Sequence, residues 1–150
     1  MIAQQMEPIV IDVRGMAPAP QGSKRHVGRG VMIESCKQVK PWRTLVTQTA
    51  VEVGASPIKG AVTMDVEFIF PRPKSHFRAN GDIKPNAPYL HSVKPDVSKL
   101  IRSTEDALSA VAFEDDARIG QTFAIKRYAG DGELPGAVIV VSPATFQPIV

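Results

Sequence analysis

The sequence predicts a single α/β (α+β) domain, residues 1–150, in which a small mixed β-sheet carries two main helices. Residues 61–70 alternate apolar and mostly polar side chains, which is the pattern of a half-buried strand. Residues 96–110 place their apolar side chains on one helical face. At 150 residues and 43% hydrophobic content, the chain can build one core and is too short for two ordinary domains.

The other elements follow from local composition. Pro41 suits the first position of a helix, and an apolar run near the end of the chain is hydrophobic enough to be a central strand. The predicted order is strands at 9–13 and 31–34, a helix from about 42 to 54, the strand at 61–70, the helix from about 96 to 110, and strands at 112–128 and 137–141. A flexible basic loop is predicted at 21–30. A Pro-rich loop at about 71–93 is long enough to be either functional or disordered.

Composition excludes several classes of protein. The sequence has no apolar run long enough for a membrane span, and its first residues lack the pattern of a signal peptide. Cys36 is the only cysteine, so neither an intrachain disulfide nor a zinc cluster is expected. We expect a cytoplasmic protein without a membrane partner or a small-molecule cofactor.

Positive charge is concentrated in the second half of the chain. The net charge of the whole protein is only +3, but residues 71–102 hold seven lysines and arginines against two aspartates. Such a segment is either a solvated loop or a phosphate-binding surface. Its position directly before a run of carboxylates favours phosphate contact.

The carboxylates lie on and after the helix predicted at 96–110. Carboxylate oxygens suit Mg²⁺, which usually takes one or two of them and fills its other positions with water and substrate phosphate. Asp96 stands at the helix start, where its alternative role is a plain N-cap. Lys99, Arg102 and Asp106 lie together on another side of the helix. Successive side chains of a strand point to opposite faces, so Asp115 and Asp116 would need a bulge to share a site.

These residues resemble the signature of the RusA family of Holliday junction resolvases. The similarity rests on four motifs, Lys94-Pro95-Asp96-x-x-x-Leu100-x-Arg102, Asp106-Ala107-Leu108, Glu114-Asp115-Asp116-x-x-Ile119 and the early Gly15-x-x-Pro18-x-Pro20-Gln21-Gly22-Ser23. The last of these resembles what many phage and prophage members carry. The specific part is the stretch from 94 to 119.

The resemblance implies a homodimer that cuts four-way DNA junctions with Mg²⁺ or Mn²⁺ held by aspartates. It assigns Asp96 and Asp116 as metal ligands and Asp106 as an acidic helix position. Arg102 falls where the family often has a catalytic lysine. One residue departs from the pattern, since Ser98 stands where the family commonly has a second aspartate.

The departure weakens the expected metal site, because a neutral hydroxyl is a poorer ligand for Mg²⁺ than a carboxylate. Asp115, Asp106 or a water would have to supply the missing ligand. Arg102 keeps a positive charge but is a poor proton donor, so we expect it to stabilise charge, with Lys99 as a nearby alternative. The implied reaction is attack on the phosphodiester by metal-activated water.

Further residues are candidates for DNA contact. The expected contacts are Lys74, His76, Phe77, Arg78 and Lys94, together with Lys24, Arg25 and Arg29 in the early basic loop. Phe77 could stack on bases or serve as an anchor of its own loop. We expect His26 and His91 at the surface, and Trp42, Met32 and Met64 in the core.

Two other interpretations stay open. The chain could be a non-catalytic or attenuated junction-binding protein that lost cleavage with the second aspartate. It could also be a structural or regulatory domain in which Asp96 is only a cap and Asp115-Asp116 only a turn.

Overall fold

The computed structural model describes residues 7–22, 24–26, 32–34 and 37–144, with only the backbone described for 24–26 and 32–34. These described residues form six strands and two α-helices. In chain order they are β1 (Ile9–Arg14), β2 (Lys24–His26), β3 (Met32–Glu34), α1 (Val39–Glu52), β4 (Val62–Phe70), α2 (Val97–Leu108), β5 (Ile119–Tyr128) and β6 (Gly136–Pro143).

Four strands form one mixed sheet in the order β1-β6-β4-β5. β6 pairs antiparallel with both β1 and β4, whereas β4 and β5 are parallel. β2 and β3 form a separate antiparallel pair. The mixed sheet and the central position of the final strand confirm the sequence prediction. The fold is α+β.

β6 begins at a position that only glycine can occupy. Gly136 has φ of 155°, and a Cβ placed on it would lie 1.7 Å from the carbonyl oxygen of Val13. The missing side chain therefore lets β1 approach β6 closely where their pairing begins.

The core lies between one face of the sheet and the two helices. Trp42 and Val46 of α1 and Leu100 of α2 are fully buried against Met64 and Phe68 of β4. Trp42 and Met64 are therefore core residues, as predicted. Met32 lies outside the residues whose side chains the structure describes.

Two polar residues are also buried in this layer. Ser103 Oγ donates to the carbonyl oxygen of Ala19 at 2.6 Å, and Trp42 Nε1 donates to Thr104 Oγ1 at 3.4 Å. The amide of Gln21 donates to the carbonyl oxygen of Lys99 at 3.0 Å. The bonds of Ala19 and Gln21 hold the segment 15–22 against α2, and the bond from Trp42 joins α1 to α2.

The opposite face of the sheet is largely exposed. Phe123 and Ile125 of β5 are 62% and 42% exposed, and Val10 of β1 is 54% exposed. Phe123 and Ile125 share a face, as the alternation predicts. The face that β5 turns towards the helices carries Thr122, Ala124, Lys126 and Tyr128 instead, since these residues pair with the inward-facing positions of β4.

Several predicted boundaries were wrong. α1 begins at Val39, so Pro41 is its third residue, still within the first turn where a missing amide hydrogen is tolerated. β5 begins only at Ile119, and a short 3₁₀ turn, Asp116–Arg118, precedes it. The segment predicted as a flexible loop at 21–30 contains β2.

The long loop between β4 and α2 is folded back on the sheet. Arg72 Nε donates to the carbonyl oxygen of Ala129 at 2.9 Å, and Arg72 Nη1 donates to that of Pro88 at 2.8 Å. Further along, the amide of Tyr128 donates to the carbonyl oxygen of Tyr89, and the amide of His91 to that of Lys126, both at 2.9 Å. The loop therefore pairs with the outer edge of β5.

The prediction that His91 lies at the surface was wrong. The residue is 7% exposed, and its ring stacks on Phe70 with centroids 4.0 Å apart. Burial lowers the pKa of His91, and the nearby charge of Lys126 lowers it further. The other histidine expected at the surface, His26, lies where only the backbone is described. Within the described ranges, no helix is long and apolar enough to cross a membrane.

Candidate active site

Asp96 is the residue directly before α2, and its carboxylate is not used to cap the helix. Its carbonyl oxygen accepts the amide of Leu100 at 3.2 Å, but its side chain makes no cap hydrogen bond with the described helix. The N-cap alternative explains its position in the chain but assigns no role to its carboxylate. That carboxylate is exposed and lines a cleft of about 730 Å³.

The backbone leading into Asp96 is fixed by a lysine of β5. Lys126 Nζ donates to the carbonyl oxygens of Val93 and Pro95, each at 2.7 Å. Lys126 had no predicted role, because its partners are backbone atoms more than thirty residues away. The sequence carried no signal for this role, because the apolar alternation of Phe123 and Ile125 leaves Lys126 on the polar side of the predicted strand.

The first cleft lies between the segment 16–22 and the start of α2. One wall is mostly apolar and comes from Met16 to Pro20, and the other carries Lys94, Asp96 and Lys99. The hydrogen bond from Ser103 to Ala19 and that from Gln21 to Lys99 hold the two walls together.

A second cleft of about 1010 Å³ lies on the other side of Lys99. Ser98, Lys99, Arg102 and Asp106 line its α2 wall. The structure thus brings Lys99, Arg102 and Asp106 together, as the helical spacing predicts. Asp106 accepts from Arg43 Nη2 at 3.2 Å, so its carboxylate is engaged in an ion pair.

The two neighbouring aspartates before β5 differ in what they contact. Asp115 Oδ1 accepts the amide of Ala117 at 2.7 Å and so caps the 3₁₀ turn. Asp116 is the first residue of that turn and is exposed. The parity argument for this pair does not apply, because neither residue belongs to the strand.

Glu105 is an acidic residue of α2 that the sequence interpretation overlooked. Burial raises its pKa, the charge of Asp116 raises it further, and Arg102 opposes the rise. Negative charge from α2 and from the turn before β5 is therefore concentrated on one side of the helix. The signal was available, because Glu105 follows Arg102 at a spacing of three and shares its side of the helix.

The carboxylates suit a divalent cation that keeps several water ligands better than one that is held by protein ligands alone. Within the described ranges, no three histidine, cysteine, aspartate or glutamate side chains are arranged to hold a metal ion. Mg²⁺ needs only one or two carboxylates and keeps several waters. Asp96 and Asp116, both exposed, match that donor chemistry.

The predicted DNA-contacting residues fall into three groups. Lys74, Arg78 and Lys94 are exposed. His76 and Phe77 are half-buried, with the His76 ring edge-on to Tyr128 and Phe77 bridged to Ile83, so both also help to fold the loop. Lys24 and Arg25 lie in β2, where side chains are not described, and Arg29 lies outside the described residues.

A comparison with family models shows the family to which the chain belongs. The family model for endodeoxyribonuclease RusA matches residues 15–142, which cover both helices and three strands of the four-stranded sheet, with β1 and the last residue of β6 outside the match. The chain belongs to the RusA family. RusA-family proteins are endodeoxyribonucleases that act on branched DNA junctions. A search of curated proteins found no match.

Two of the RusA motifs lie at the start of α2 and in the turn before β5. The motif at 94–102 forms the start of α2 and contributes to both clefts. The motif at 114–119 forms the turn before β5. Ser98 stands where the RusA resemblance leads one to expect a second aspartate. It lines the second cleft, whereas Asp96 lines the first.

Proposed function

We propose that this chain is a metal-dependent, structure-specific endonuclease that resolves four-way DNA junctions by hydrolysing phosphodiester bonds in recombination and repair. The observation that carries the proposal is the exposed carboxylate of Asp96, which makes no cap bond and lines a cleft beside Lys94 and Lys99. In a RusA-family chain, an anionic side chain held beside cations suits a metal and a phosphate.

Asp96 and Asp116 would hold Mg²⁺, or Mn²⁺ in its place, and the metal would supply a bound water of lowered pKa and a polarised phosphate. Asp115 and Asp106 each have another partner, Ala117 and Arg43. Ser98 provides no carboxylate, so another group must supply that metal ligand. Because Asp115 and Asp106 already have partners, these contacts favour a water. They also favour structural roles for Asp115 and Asp106.

Arg102 and Lys99 would stabilise the negative charge that develops on the phosphate. Both are exposed and line the second cleft one helical turn apart. A guanidinium stays protonated at neutral pH, so Arg102 acts as a fixed charge and not as a proton donor. Lys94, Lys74 and Arg78 would contact backbone phosphates further along the junction.

Cleavage of end-labelled four-way junctions tests the assignment. In Mg²⁺ and in Mn²⁺, we expect Asp96→Asn and Asp116→Asn to cut at least about 100-fold more slowly than the wild type, since changes outside the ligand shell already cost 10- to 100-fold. Asp131→Asn, in an exposed turn, is the matched control. If both site variants cut as fast as the control, the site assignment is wrong.

A second candidate function is junction binding with weak or absent cleavage. The observation that favours it is Ser98, a neutral hydroxyl at the position where the RusA resemblance leads one to expect a second carboxylate. Under this alternative the wild type binds junctions but does not cut them in either metal. Ser98→Asp would then gain cleavage, whereas under the main proposal the wild type already cuts.

We also propose that the protein works as a homodimer, because a four-way junction presents two symmetric strands to a twofold enzyme. The exposed sheet face, which carries Phe123, Ile125 and Val10 with Asp65 and Glu67 between them, is the surface we assign to a second copy. It lies on the side of the sheet away from the helices, so pairing there leaves both clefts accessible.

A further inference from the structure

We propose that the second cleft, between α1 and α2, is a binding track for the phosphate backbone of one DNA arm, which leads away from the reacting phosphate at Lys99 and Arg102. This inference rests on the proposed function. It assigns a role to Lys37, Lys40 and Arg43, which lie outside the RusA motifs of α2 and which the sequence had not singled out.

The charge of the cleft is the first argument. The described residues that line it include five cations and a single carboxylate, Asp106. The cations are Lys37, Lys40, Arg43, Lys99 and Arg102. An excess of four positive charges on facing walls attracts a polyanion far more strongly than the net charge of the whole chain does.

The arrangement of α1 is the second argument. Lys40 and Arg43 are three residues apart on the helix, so they share a face, and Lys37 precedes them in the adjoining turn. Lys37 and Lys40 are exposed, which leaves their ammonium groups available to a ligand. Cations so spaced along one face suit successive phosphates of a strand.

Arg43 is held in place at the centre of the cleft. Its Nη2 donates to Asp106 at 3.2 Å and also to Gln21 Oε1. Its Nε is buried and has no hydrogen-bond partner in the part of the chain that the structure describes. Asp106 therefore positions one guanidinium, and the four other cations keep their charge for a ligand.

The shape of the cleft suits a chain of phosphates. It continues into a shallower groove of about 300 Å³ that again contains Lys40, Arg43 and Asp106 and extends to Thr47 and Gln48. From Lys40 to Gln48 the helix rises about 12 Å. One strand of a duplex places a phosphate about every 3.4 Å along its axis, so the groove accommodates several phosphates.

Ser98 fits this role as well. It lines the cleft with a neutral side chain, where an aspartate would cancel one of the cations. A hydroxyl can also donate a hydrogen bond to a phosphate oxygen. The cleft thus has the composition of a backbone contact, which fixes the orientation of DNA without reading its sequence.

The test compares exposed lysines inside and outside the cleft. Binding of a four-way junction is measured between about 50 and 200 mM salt. The proteins are the wild type, the double variant Lys37→Gln/Lys40→Gln, the single variant Lys40→Gln and its matched control Lys59→Gln. Lys40 and Lys59 are both exposed, so neither substitution disturbs the core. Single-turnover cleavage at saturating enzyme is measured alongside.

For the double variant we expect weaker binding and a salt slope smaller by about 2, since each lost phosphate contact removes about 0.9 from the slope. Lys40→Gln should show about half of that change and Lys59→Gln none. The loss should appear in the dissociation constant and not in the cleavage rate at saturation.

Three results would overturn the inference. The double variant could keep the wild-type affinity and slope, Lys59→Gln could lose as much as Lys40→Gln, or the loss could lie in the saturated cleavage rate. In each case a wild type that binds and cuts junctions leaves the proposed function standing. A wild type that neither binds nor cuts junctions overturns the proposed function and this inference together.

Discussion

At the scale of single residues, Lys126 links the sheet to the candidate active site. Its ammonium group bonds to the carbonyl oxygens of Val93 and Pro95, so β5 holds the backbone that delivers Asp96. Its own position on β5 faces the helices, where a lysine is otherwise costly to bury. The two bonds satisfy its charge and give the side chain a positioning role.

Replacing this lysine by methionine should loosen the start of α2. We expect Lys126→Met to lower the free energy of unfolding by about 2 kcal/mol, because hydrogen bonds to a charged donor are lost and two carbonyl groups need new partners. Junction cleavage should fall by more than junction binding. Chemical denaturation and single-turnover cleavage measure the two effects.

Lys59→Met is the matched control, since Lys59 is exposed and lies in the segment just before β4. Wild-type stability and wild-type cleavage in Lys126→Met would show that the two bonds contribute nothing to the position of Asp96.

The residues that sequence reasoning placed correctly are those whose environment depends on near neighbours. Trp42 and Met64 were assigned to the core because each lies in a periodic apolar pattern, and both are fully buried. His91 and Lys126 were not, because a loop that folds back brings His91 onto Phe70 and brings the carbonyl oxygens of Val93 and Pro95 to Lys126. No local pattern carries that information.

At the scale of elements, a cluster of ion pairs joins β1, β4 and β5 to the turn before β6. Arg127 donates to Glu133 through Nη1 and Nη2 at 2.5 and 2.8 Å, and its Nε donates to Glu67. Arg14 Nη1 also donates to Glu133, at 3.1 Å. Hydrogen bonds from Arg127 lower the pKa of Glu133 from 4.5 to about 2, and the same bonds raise the pKa of Arg127.

This cluster predicts a loss of stability in acid. A carboxylate with a lowered folded-state pKa stabilises the fold above its ordinary pKa of 4.5, and the contribution is lost as the pH falls towards about 2. Glu133→Gln should lower the free energy of unfolding at pH 7 by about 2 kcal/mol and flatten its dependence on pH below 4.5.

Denaturant unfolding between pH 7 and pH 3 measures both effects, with Asp131→Asn in the same turn as the control. An equally steep pH dependence in Glu133→Gln would assign the acid sensitivity to other carboxylates.

The strands and helices themselves were largely predictable, and their ends were less so. The alternation in β4 and the helical spacing in α2 are strong local signals, and both elements were confirmed. In β5 the alternation was visible, but which of its faces the helices would cover depends on pairing with β4, more than fifty residues earlier. The predicted strand began at residue 112 and therefore included Asp116. In the structure, Asp116 lies in the turn before β5.

At the scale of the whole molecule, the two faces of the sheet differ in chemistry. The helices, the clefts and the cations that line those clefts lie on one side, and the other side exposes the apolar residues Phe123, Ile125 and Val10. The sequence indicated both the basic character and the apolar strands. It did not indicate that they would lie on opposite sides, because that separation arises from the order of the strands.

We expect the apolar side to carry the dimer contact. Phe123→Asp should convert a dimer at micromolar concentration into a monomer, because a buried charge without a partner strongly opposes association. Light scattering gives the mass. Leu134→Asp is the control, since Leu134 is similarly exposed, at 59% against 62% for Phe123, but lies in the turn before β6.

A monomeric wild type would count against the dimer itself. A dimeric Phe123→Asp protein would place the contact on another surface.

The pairing of the long loop with β5 has a consequence for solubility. β5 is the last strand of its sheet, and an unpaired edge invites strands of other molecules to add to it and so promotes aggregation. The backbone bonds of Tyr89 and His91 occupy part of that edge. A variant whose loop is shortened within 71–93 to remove its cations would also lose this protection. If that variant precipitates, the cause is the exposed edge of β5, and the result says nothing about DNA binding.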